Sequence, residues 1–179
     1  ELVQFRNQYV ITKNLAVAGV IQPYSLEAYR NGYALITEDF GGTSLSHYID
    51  QYFDQQRTSA ESSQPDGEVS LNPSDSSCLS ISDFLAIALQ LADTLGELYH
   101  HRIIHKDIKP ANILINPETK QVKLIDFSLA SLLPRETQEI RSSNILEGTL
   151  AYLSPEQTGR MNRTVDYRSD FYSLGVTFF

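Results

Sequence analysis

The apolar and polar positions at the start of the chain predict one helix followed by a pair of strands. Across 2–15, apolar and aromatic side chains recur near helical spacing. Two β-like stretches, 20–29 and 33–40, come next. The Asn31-Gly32 pair between them is the strongest short signal for a hairpin, so we expect the two stretches to pair antiparallel.

The middle of the chain predicts a short helix, a polar insert and a long amphipathic helix. The short helix begins near Ser44, a candidate N-cap residue. Residues 54–78 are rich in Ser, Gln, Pro and Asp, and burial of so few apolar groups cannot offset the entropy lost on ordering. A disordered, mobile insert is therefore expected there. The long helix begins after Ser80, and its apolar face is formed by Phe84, Ile87, Ala88, Leu91, Leu95 and Leu98.

The last part of the chain predicts short strands and a final helix. Apolar runs at 103–105, 113–116 and 122–126 have the length and composition of short strands, and a turn at 117–119 separates the second from the third. The final helix is expected from about Tyr167. These elements suit a mixed α+β fold in which short strands line a cleft.

Composition and charge exclude several classes of function. Hydrophobic residues make up 41% of the 179 residues, enough for one globular core. The formal net charge of -8 argues against a non-specific nucleic-acid binder, because such proteins neutralise phosphates with clustered Lys and Arg. The single cysteine, Cys78, can form no internal disulfide and lacks the spacing of a zinc site. No apolar run is long enough to span a bilayer, and a cytoplasmic location is expected.

The motif HKDIKPANIL at 105–114 carries the first chemical signal. Phosphoryl transfer to a hydroxyl needs a carboxylate that orients the hydroxyl and accepts its proton, and a cation near the transferring phosphoryl group. Asp107 would supply the carboxylate, and Lys109 would neutralise charge on the γ-phosphoryl group. Both residue types thus match the roles that this reaction requires.

The motif IDFSLA at 125–130 adds a second signal, which is a candidate magnesium site. Magnesium is a hard cation that prefers oxygen ligands, and phosphoryl transfer uses it to neutralise the phosphate chain. Asp126 in this motif and Asn112 in the preceding one could supply those oxygens. The pair predicts a metal site beside the catalytic carboxylate.

These two motifs, followed by GTLAYLSPE at 148–156, resemble the catalytic, magnesium and substrate loops of the protein kinase family. The resemblance implies a protein-kinase-like α+β fold, ATP and Mg²⁺ as cofactors, and a protein as substrate. The whole chain would then be a partial kinase domain. Residues 1–40 would form the end of the small lobe and the hinge, and 41–179 an incomplete, mostly helical large lobe up to the start of its central helix.

The resemblance also assigns the acceptor and the substrate loop. Lys109 two positions after Asp107 is similar to the serine/threonine subclass, which implies transfer to Ser or Thr. Thr149 would hydrogen-bond both of these residues. Asp170 resembles the buried aspartate that holds the backbone of the catalytic loop.

The stretch YALITEDFGG resembles the hinge between the two kinase lobes. Thr37 would then guard the back of the nucleotide pocket, and the backbone of Glu38 and Phe40 would contact adenine. Leu114 would form the floor of the adenine site. These residues are the expected binding site for ATP.

Several departures from the family pattern bear on activity. No two glycines stand in a G-x-G arrangement, and no strand similar to V-A-I-K precedes the first helix. The position of the helix glutamate that pairs with the strand lysine falls on either Gln8 or Glu1, and the sequence leaves this open. Ser128 replaces the usual glycine of the magnesium loop and restricts its backbone. Glu156 normally meets an arginine from a helix farther along a kinase chain, and it is expected to be an unpaired carboxylate here.

The sequence is expected to be a piece of a longer kinase that is cut at both ends. Residues 152–176 resemble the kinase domain of large bacterial signalling proteins that also carry ATPase, sensor and histidine-kinase modules. One alternative is a pseudokinase that regulates neighbouring domains, which the missing ATP clamp favours. Another is a small-molecule phosphotransferase, which the protein-substrate loop at 148–156 disfavours.

Overall fold

A computed structural model describes residues 2–51, 54, 80–133, 148–160 and 163–179. The helices are α1 (Leu2–Thr12), α2 (described over 45–51), α3 (Ile81–His100) and α4 (Tyr167–Phe178). The strands are β1 (Pro23–Tyr29), β2 (Gly32–Thr37), β3 (Thr43–Ser44), β4 (Ile103–Ile104), β5 (Ile113–Ile115), β6 (Val122–Leu124) and β7 (Ser131–Leu132). The insert predicted at 54–78 lies, apart from Asp54, outside the described residues.

The predicted hairpin is present, and its turn uses the first two of the three residues that separate the predicted strands. β1 and β2 pair antiparallel, and Tyr29 lies opposite Gly32, so the turn residues are Arg30 and Asn31. Arg30 takes the positive φ of 52°. Its guanidinium group lies over the Tyr29 ring, 5.1 Å from the centroid, and this cation–π contact favours the observed turn.

β1 begins at Pro23 rather than at Val20, because the residues before it pair elsewhere. Val20 forms a parallel bridge with Leu124 in β6. The Leu124 amide donates to the Gly19 carbonyl at 2.7 Å, and the Ile21 amide donates to the Leu124 carbonyl at 3.0 Å. The segment before the hairpin is therefore hydrogen-bonded to the sheet formed, in order, by β3, β5 and β6.

The two predicted helix caps are confirmed. The Ser80 hydroxyl accepts a hydrogen bond from the Asp83 amide at 3.0 Å, one turn into α3. The Ser44 hydroxyl accepts one from the His47 amide at 3.2 Å at the start of α2. Each cap satisfies an amide that the helix itself leaves without a partner.

The predicted short strands and the final helix are also present. Asn116 fixes the turn between β5 and β6, because its side-chain oxygen accepts from the amides of Glu118 and Thr119 at 3.0 and 3.1 Å. At the start of α4, Asp166 acts as the N-cap and accepts from the Arg168 amide at 2.9 Å. Antiparallel pairing of β5 with β6 brings the end of the first chemical motif beside the start of the second.

The core lies between α3 and the short strands. The predicted apolar face of α3 supplies Ile87, Leu91, Leu95 and Leu98, all of them buried. Across from it lie buried side chains of β5 and β6, namely Ile113, Ile115, Val122 and Leu124. Among the described residues, no helix is both long enough and apolar enough to cross a membrane.

Candidate active site

The loop at 105–109 is held by a carboxylate from α4. Asp170 is 3% exposed, and its two oxygens accept from the amides of His105 and Lys106 at 2.7 and 2.8 Å. Burial raises the pKa of Asp170, although the amides of His105 and Lys106 and the charge of Lys106 act in the opposite direction. The structure thus places Asp170 where the sequence predicted a buried support for the loop.

His105 joins this loop to the segment that follows β6. Its Nδ1 atom accepts from the Asp107 amide at 3.3 Å, and its Nε2 atom lies 3.0 Å from the Ile125 carbonyl. An acceptor at Nδ1 and a carbonyl at Nε2 fit the neutral ring with its proton on Nε2. The ring also packs against Phe127, with the centroids 4.6 Å apart. His105 therefore packs against Phe127 and holds the loop by hydrogen bonds.

Four predicted residues meet at the Asp107 carboxylate. Its Oδ2 atom accepts from Lys109 Nζ at 2.6 Å and from Asn112 Nδ2 at 2.9 Å. Its Oδ1 atom accepts from the amide and the hydroxyl of Thr149 at 3.0 and 3.2 Å. Lys109 also donates to the Thr149 hydroxyl at 2.7 Å. The geometry brings together side chains that lie up to 42 positions apart in the chain.

The charge of Asp107 is set by these neighbours. Burial raises the pKa of its carboxyl group, but the hydrogen bond and the charge of Lys109, with the two bonds from Thr149, outweigh this and lower the pKa. Asp107 is therefore an anion at neutral pH. A carboxylate of this kind can orient a hydroxyl group, provided that the hydroxyl takes the place of one of the present donors.

A cavity of about 390 Å³ lies between the hairpin, the loop after it and the residues that follow β6. All five residues predicted to bind the nucleotide line it: Thr37, Glu38, Phe40, Leu114 and Asp126. The Asp107 cluster is not part of the cavity wall. The volume and the mixed apolar and polar lining are typical of a small-molecule pocket.

The segment 37–40, predicted to be the hinge, carries two backbone groups without a hydrogen-bond partner among the described residues. The Glu38 amide donates to the Gln22 carbonyl at 2.9 Å. The Glu38 carbonyl and the Phe40 amide have no hydrogen bond to any other described residue. A carbonyl and an amide two residues apart form the donor and acceptor pair that the edge of a purine can bind. The sequence predicted these two positions from the resemblance alone.

The Glu38 side chain has a structural role that the sequence did not indicate. Its Oε1 atom accepts from Lys123 Nζ at 2.5 Å and from the Gln22 amide at 2.9 Å. Burial raises the pKa of Glu38, but the Lys123 and Gln22 bonds outweigh it and lower the pKa. Lys123 also lies over the Phe40 ring, 5.4 Å from its centroid. No local pattern could have revealed this pairing, since Glu38 and Lys123 are 85 positions apart.

Oxygen atoms suited to magnesium lie on both predicted metal residues. The side chain of Asn112 makes two hydrogen bonds, and both use Nδ2, which donates to the backbone carbonyl and to Oδ2 of Asp107. The Oδ1 atom of Asn112 therefore remains for a metal. Asp126 has a left-handed backbone with φ of 62°, and its carboxylate accepts a 3.3 Å bond from the Ser128 amide. In the described part of the chain, no three His, Cys, Asp or Glu side chains could hold a metal by themselves. A magnesium ion here would take its remaining ligands from phosphate and water.

Comparison with known proteins agrees with this geometry. The family profile described as "Protein kinase domain" matches residues 3–179. The chain belongs to the protein kinase family. It is 32% identical over 164 residues to "Probable serine/threonine-protein kinase PknB" of Bifidobacterium longum, an alignment that covers 92% of this chain and 22% of that protein.

Two further relatives align over a shorter stretch. The chain is 39% identical over 95 residues to "Serine/threonine-protein kinase PknB" of Mycolicibacterium smegmatis, which covers 53% of this chain and 15% of the relative. It is also 39% identical over 95 residues to "Serine/threonine-protein kinase pkn2" of Myxococcus xanthus, which covers 51% and 11%. The chain therefore spans less than a quarter of the length of these kinases.

The structure shows where two of the departures from the kinase pattern, Gln8 and Ser128, lie. Gln8 lies in the wall of the cavity that Asp126 also lines, whereas Glu1 is outside the described residues. Ser128 lies in a 3₁₀ turn, Phe127–Leu129, and not at a positive φ, so the absence of glycine causes no strain in this conformation.

The expectation that Glu156 lacks a partner was wrong. Its Oε1 atom accepts a 2.6 Å bond from the Ser169 hydroxyl at the start of α4. Burial raises the pKa of Glu156, but this bond, together with hydrogen bonds from the Glu156 amide and the Ser154 side chain, outweighs it and lowers the pKa. A hydroxyl from the neighbouring helix can satisfy the carboxylate without an arginine, and the sequence gives no sign of this contact.

Proposed function

We propose that this chain is the part of a serine/threonine protein kinase that carries the catalytic loop, the hinge and the metal-binding segment. The full-length protein would transfer the γ-phosphoryl group of ATP to a Ser or Thr hydroxyl of a protein. The observation that carries this proposal is the Asp107 carboxylate, which is anionic and bonded by Lys109, Asn112 and Thr149. The serine/threonine names of the relatives support the choice of acceptor.

Each residue of the cluster has a role that its position allows. Asp107 would orient the acceptor hydroxyl and receive its proton. Lys109 is 2.7 Å from the Thr149 hydroxyl and could turn toward the transferring phosphoryl group while the substrate hydroxyl takes its place on Asp107. Thr149 would keep the substrate loop against the carboxylate through its amide and its hydroxyl.

The nucleotide would occupy the cavity beside the hinge. Adenine would bind the Glu38 carbonyl and the Phe40 amide and pack on Leu114, with Thr37 at the back. Asn112 and Asp126 would hold Mg²⁺, which neutralises the phosphate chain and fixes its orientation when it is bound. The free oxygen of Asn112 and the carboxylate of Asp126 support this assignment.

The chain would be one part of a larger signalling protein. It spans 22% or less of the relatives described above, which leaves room for further domains in a protein of similar length. We propose additional signalling modules in the same polypeptide, a protein substrate, and a cytoplasmic location for this domain. Residues 1–40 and 41–179 would belong to the small and large lobes.

A pseudokinase is the second candidate, and Gln8 favours it. This residue lines the cavity where a kinase uses a glutamate to pair with a lysine, and a neutral amide cannot form an ion pair. In this case the protein would bind ATP, or another domain, without transferring phosphate. The complete Asp107 cluster favours the active kinase instead.

The decisive experiment compares two amide variants in the full-length protein. Asp107→Asn should lower the rate of phosphate transfer to a Ser- or Thr-containing protein by about 100-fold or more, while ATP affinity changes little. Asp126→Asn should instead weaken Mg²⁺-dependent ATP binding. Asp93→Asn, the same change at an exposed site on α3, is the control and should alter neither quantity.

The outcomes separate the two candidates. ATP binding without transfer to any protein tested would support the pseudokinase. Equal kinetic and binding profiles for Asp107→Asn and Asp126→Asn would show that the roles given to these residues are wrong. Transfer to Tyr alone would contradict the assignment of the acceptor.

A further inference from the structure

One side chain of α1 bonds directly to the metal-binding segment. The Nδ2 atom of Asn7 lies 2.9 Å from the Ser128 carbonyl, 2.9 Å from the Ala130 carbonyl and 3.4 Å from the Phe127 carbonyl. The side-chain amide has two N–H donors, which the two shorter contacts use in full. Asn7 is half-buried, so water competes only partly for these bonds.

These bonds satisfy carbonyl groups that the local structure leaves open. The 3₁₀ turn Phe127–Leu129 uses only the Phe127 carbonyl, which accepts from the Ala130 amide at 3.2 Å. The carbonyls of Ser128 and Ala130 therefore depend on a donor from outside the turn. Asn7 is that donor, and it comes from a helix more than a hundred positions earlier in the chain.

Ser128 connects this contact to the predicted magnesium ligand. Its carbonyl accepts from Asn7, and its amide donates to the Asp126 carboxylate at 3.3 Å. The next residue toward Asp126, Phe127, is fully buried against the His105 ring. The orientation of the Asp126 side chain is thus tied to α1 through one residue that both groups contact.

The neighbouring residue on α1 cannot replace this connection with charge. Gln8 lines the cavity but is neutral, so no ion pair from this position can hold α1 against the nucleotide site. Hydrogen bonds from Asn7 are the direct polar link between α1 and the segment 126–130 among the described residues. Because the groups that Asn7 contacts are backbone carbonyls, the side chain at position 7 must be a hydrogen-bond donor. An acceptor at this position would break these hydrogen bonds.

We infer that Asn7 is a positioning residue, which keeps α1 on the metal-binding segment and thereby fixes Asp126 for Mg²⁺–ATP. This inference rests on the proposed function and extends it to a residue outside the catalytic motifs. Asn7 is not among the residues that line the cavity of the proposed nucleotide site. Its effect is therefore expected in the metal dependence of nucleotide binding, rather than in the binding of the purine itself.

The test uses three variants of the full-length protein. Asn7→Ala removes the donors, and Asn7→Asp places acceptors against the carbonyls. Gln4→Glu is the matched control, because it makes the same amide-to-carboxylate change at an exposed site on the same helix. Two quantities are measured at a temperature where every variant is folded: the Mg²⁺ concentration for half-maximal ATP binding, and the affinity for adenosine, which has no phosphates.

Asn7→Ala should raise the half-maximal Mg²⁺ concentration about three- to tenfold, the change that corresponds to the loss of one or two net hydrogen bonds. Asn7→Asp should raise it further, and Gln4→Glu should leave it unchanged within about twofold, as an exposed surface change does. Adenosine affinity should stay constant in all three, because adenosine contacts the hinge and not Asp126.

The inference is overturned if both Asn7 variants keep the Mg²⁺ dependence of the parent protein. It is equally overturned if adenosine affinity falls in parallel with Mg²⁺–ATP binding, because Asn7 would then only support the fold. If the parent protein itself binds no Mg²⁺–ATP, the proposed function fails and this inference fails with it. If the parent protein binds Mg²⁺–ATP normally and both Asn7 variants show the same Mg²⁺ dependence, only the inference about Asn7 is overturned.

Discussion

At the scale of single residues, the four donors around Asp107 determine both its charge and its availability. Two of them come from Thr149, one from Lys109 and one from Asn112. These bonds stabilise the anion against the cost of burial, so the carboxylate is ready to act at neutral pH. They also occupy its lone pairs, and a substrate hydroxyl must therefore displace a donor. Lys109 is the donor that a phosphoryl group could attract away.

This balance predicts the pH dependence of Lys109 variants. In the parent, the lowered pKa of Asp107 keeps the group ionised until the pH falls below the usual carboxyl range. Without Lys109, its hydrogen bond and its charge would no longer lower the pKa while burial still raised it, so the pKa would rise and the protonated form would appear at higher pH. We expect Lys109→Met to move the acid limb of the kcat/KM profile of the full-length kinase upward.

Lys109→Arg is the matched control for that measurement, because it keeps a positive charge beside Asp107. Its acid limb should stay close to that of the parent even if the absolute rate falls. An acid limb at the same pH in Lys109→Met and in the parent would mean that Lys109 does not set the charge of Asp107.

The residues of the cluster could be predicted from the sequence because three of them share one short motif and each functional group matches one chemical need. The Glu38–Lys123 pair and the Asn7 contacts could not be predicted. Their partners are 85 and up to 123 positions apart, and neither a period nor a motif relates them. Only the folded chain brings these groups within hydrogen-bonding distance.

At the scale of elements, the catalytic loop is supported from outside because its own strands are very short. β4 has two residues and β5 has three, too few to fix the loop between them. α4 supplies the missing support through Asp170, whose carboxylate bonds two successive amides of the loop. Backbone donors buried in this way destabilise the fold when they lose their acceptor.

Asp170→Asn should therefore lower the free energy of unfolding of the complete kinase domain by about 2–4 kcal/mol, since it replaces one acceptor with a donor that faces an amide. Asp166→Asn makes the same change at the N-cap of the same helix, where Asn caps almost as well as Asp, and should cost less than about 1 kcal/mol. Urea unfolding measures both. Equal losses for the two variants would contradict the supporting role of Asp170.

The elements themselves were largely predictable because their signals are local. Ser44 and Ser80 mark helix starts, and the periodicity of α3 identifies its buried face. The hairpin turn lies within the three residues predicted to separate the strands, and the strand register and the Arg30–Tyr29 contact select Arg30 and Asn31 for it. The first strand was predicted too long, since pairing of Val20 with β6 is a long-range event.

At the scale of the whole molecule, the segment that joins α1 to the hairpin packs closely on α3 at Gly19. Gly19 lies against α3, where a Cβ atom would stand 1.8 Å from the Thr94 hydroxyl oxygen. The backbone on either side of that glycine bonds to Leu124 in β6. The hinge cavity is bounded by residues from two parts of the molecule, α1 with the hairpin on one side and β5 with the residues after β6 on the other, so its shape depends on this contact.

Gly19→Ala should therefore destabilise the complete kinase domain by about 1–3 kcal/mol, the usual cost of an overpacked site, and should also weaken ATP binding because the two parts must separate slightly. Gly96→Ala is the matched control, since nothing lies within 4 Å of its added Cβ, and it should be neutral or stabilising because alanine favours a helix. Thr94→Ala removes the nearest clashing atom and should restore part of the loss when combined with Gly19→Ala. A double-mutant cycle by urea unfolding measures this coupling. If the two substitutions were additive, or if Gly19→Ala were as mild as Gly96→Ala, then Thr94 would not limit how closely the two parts approach.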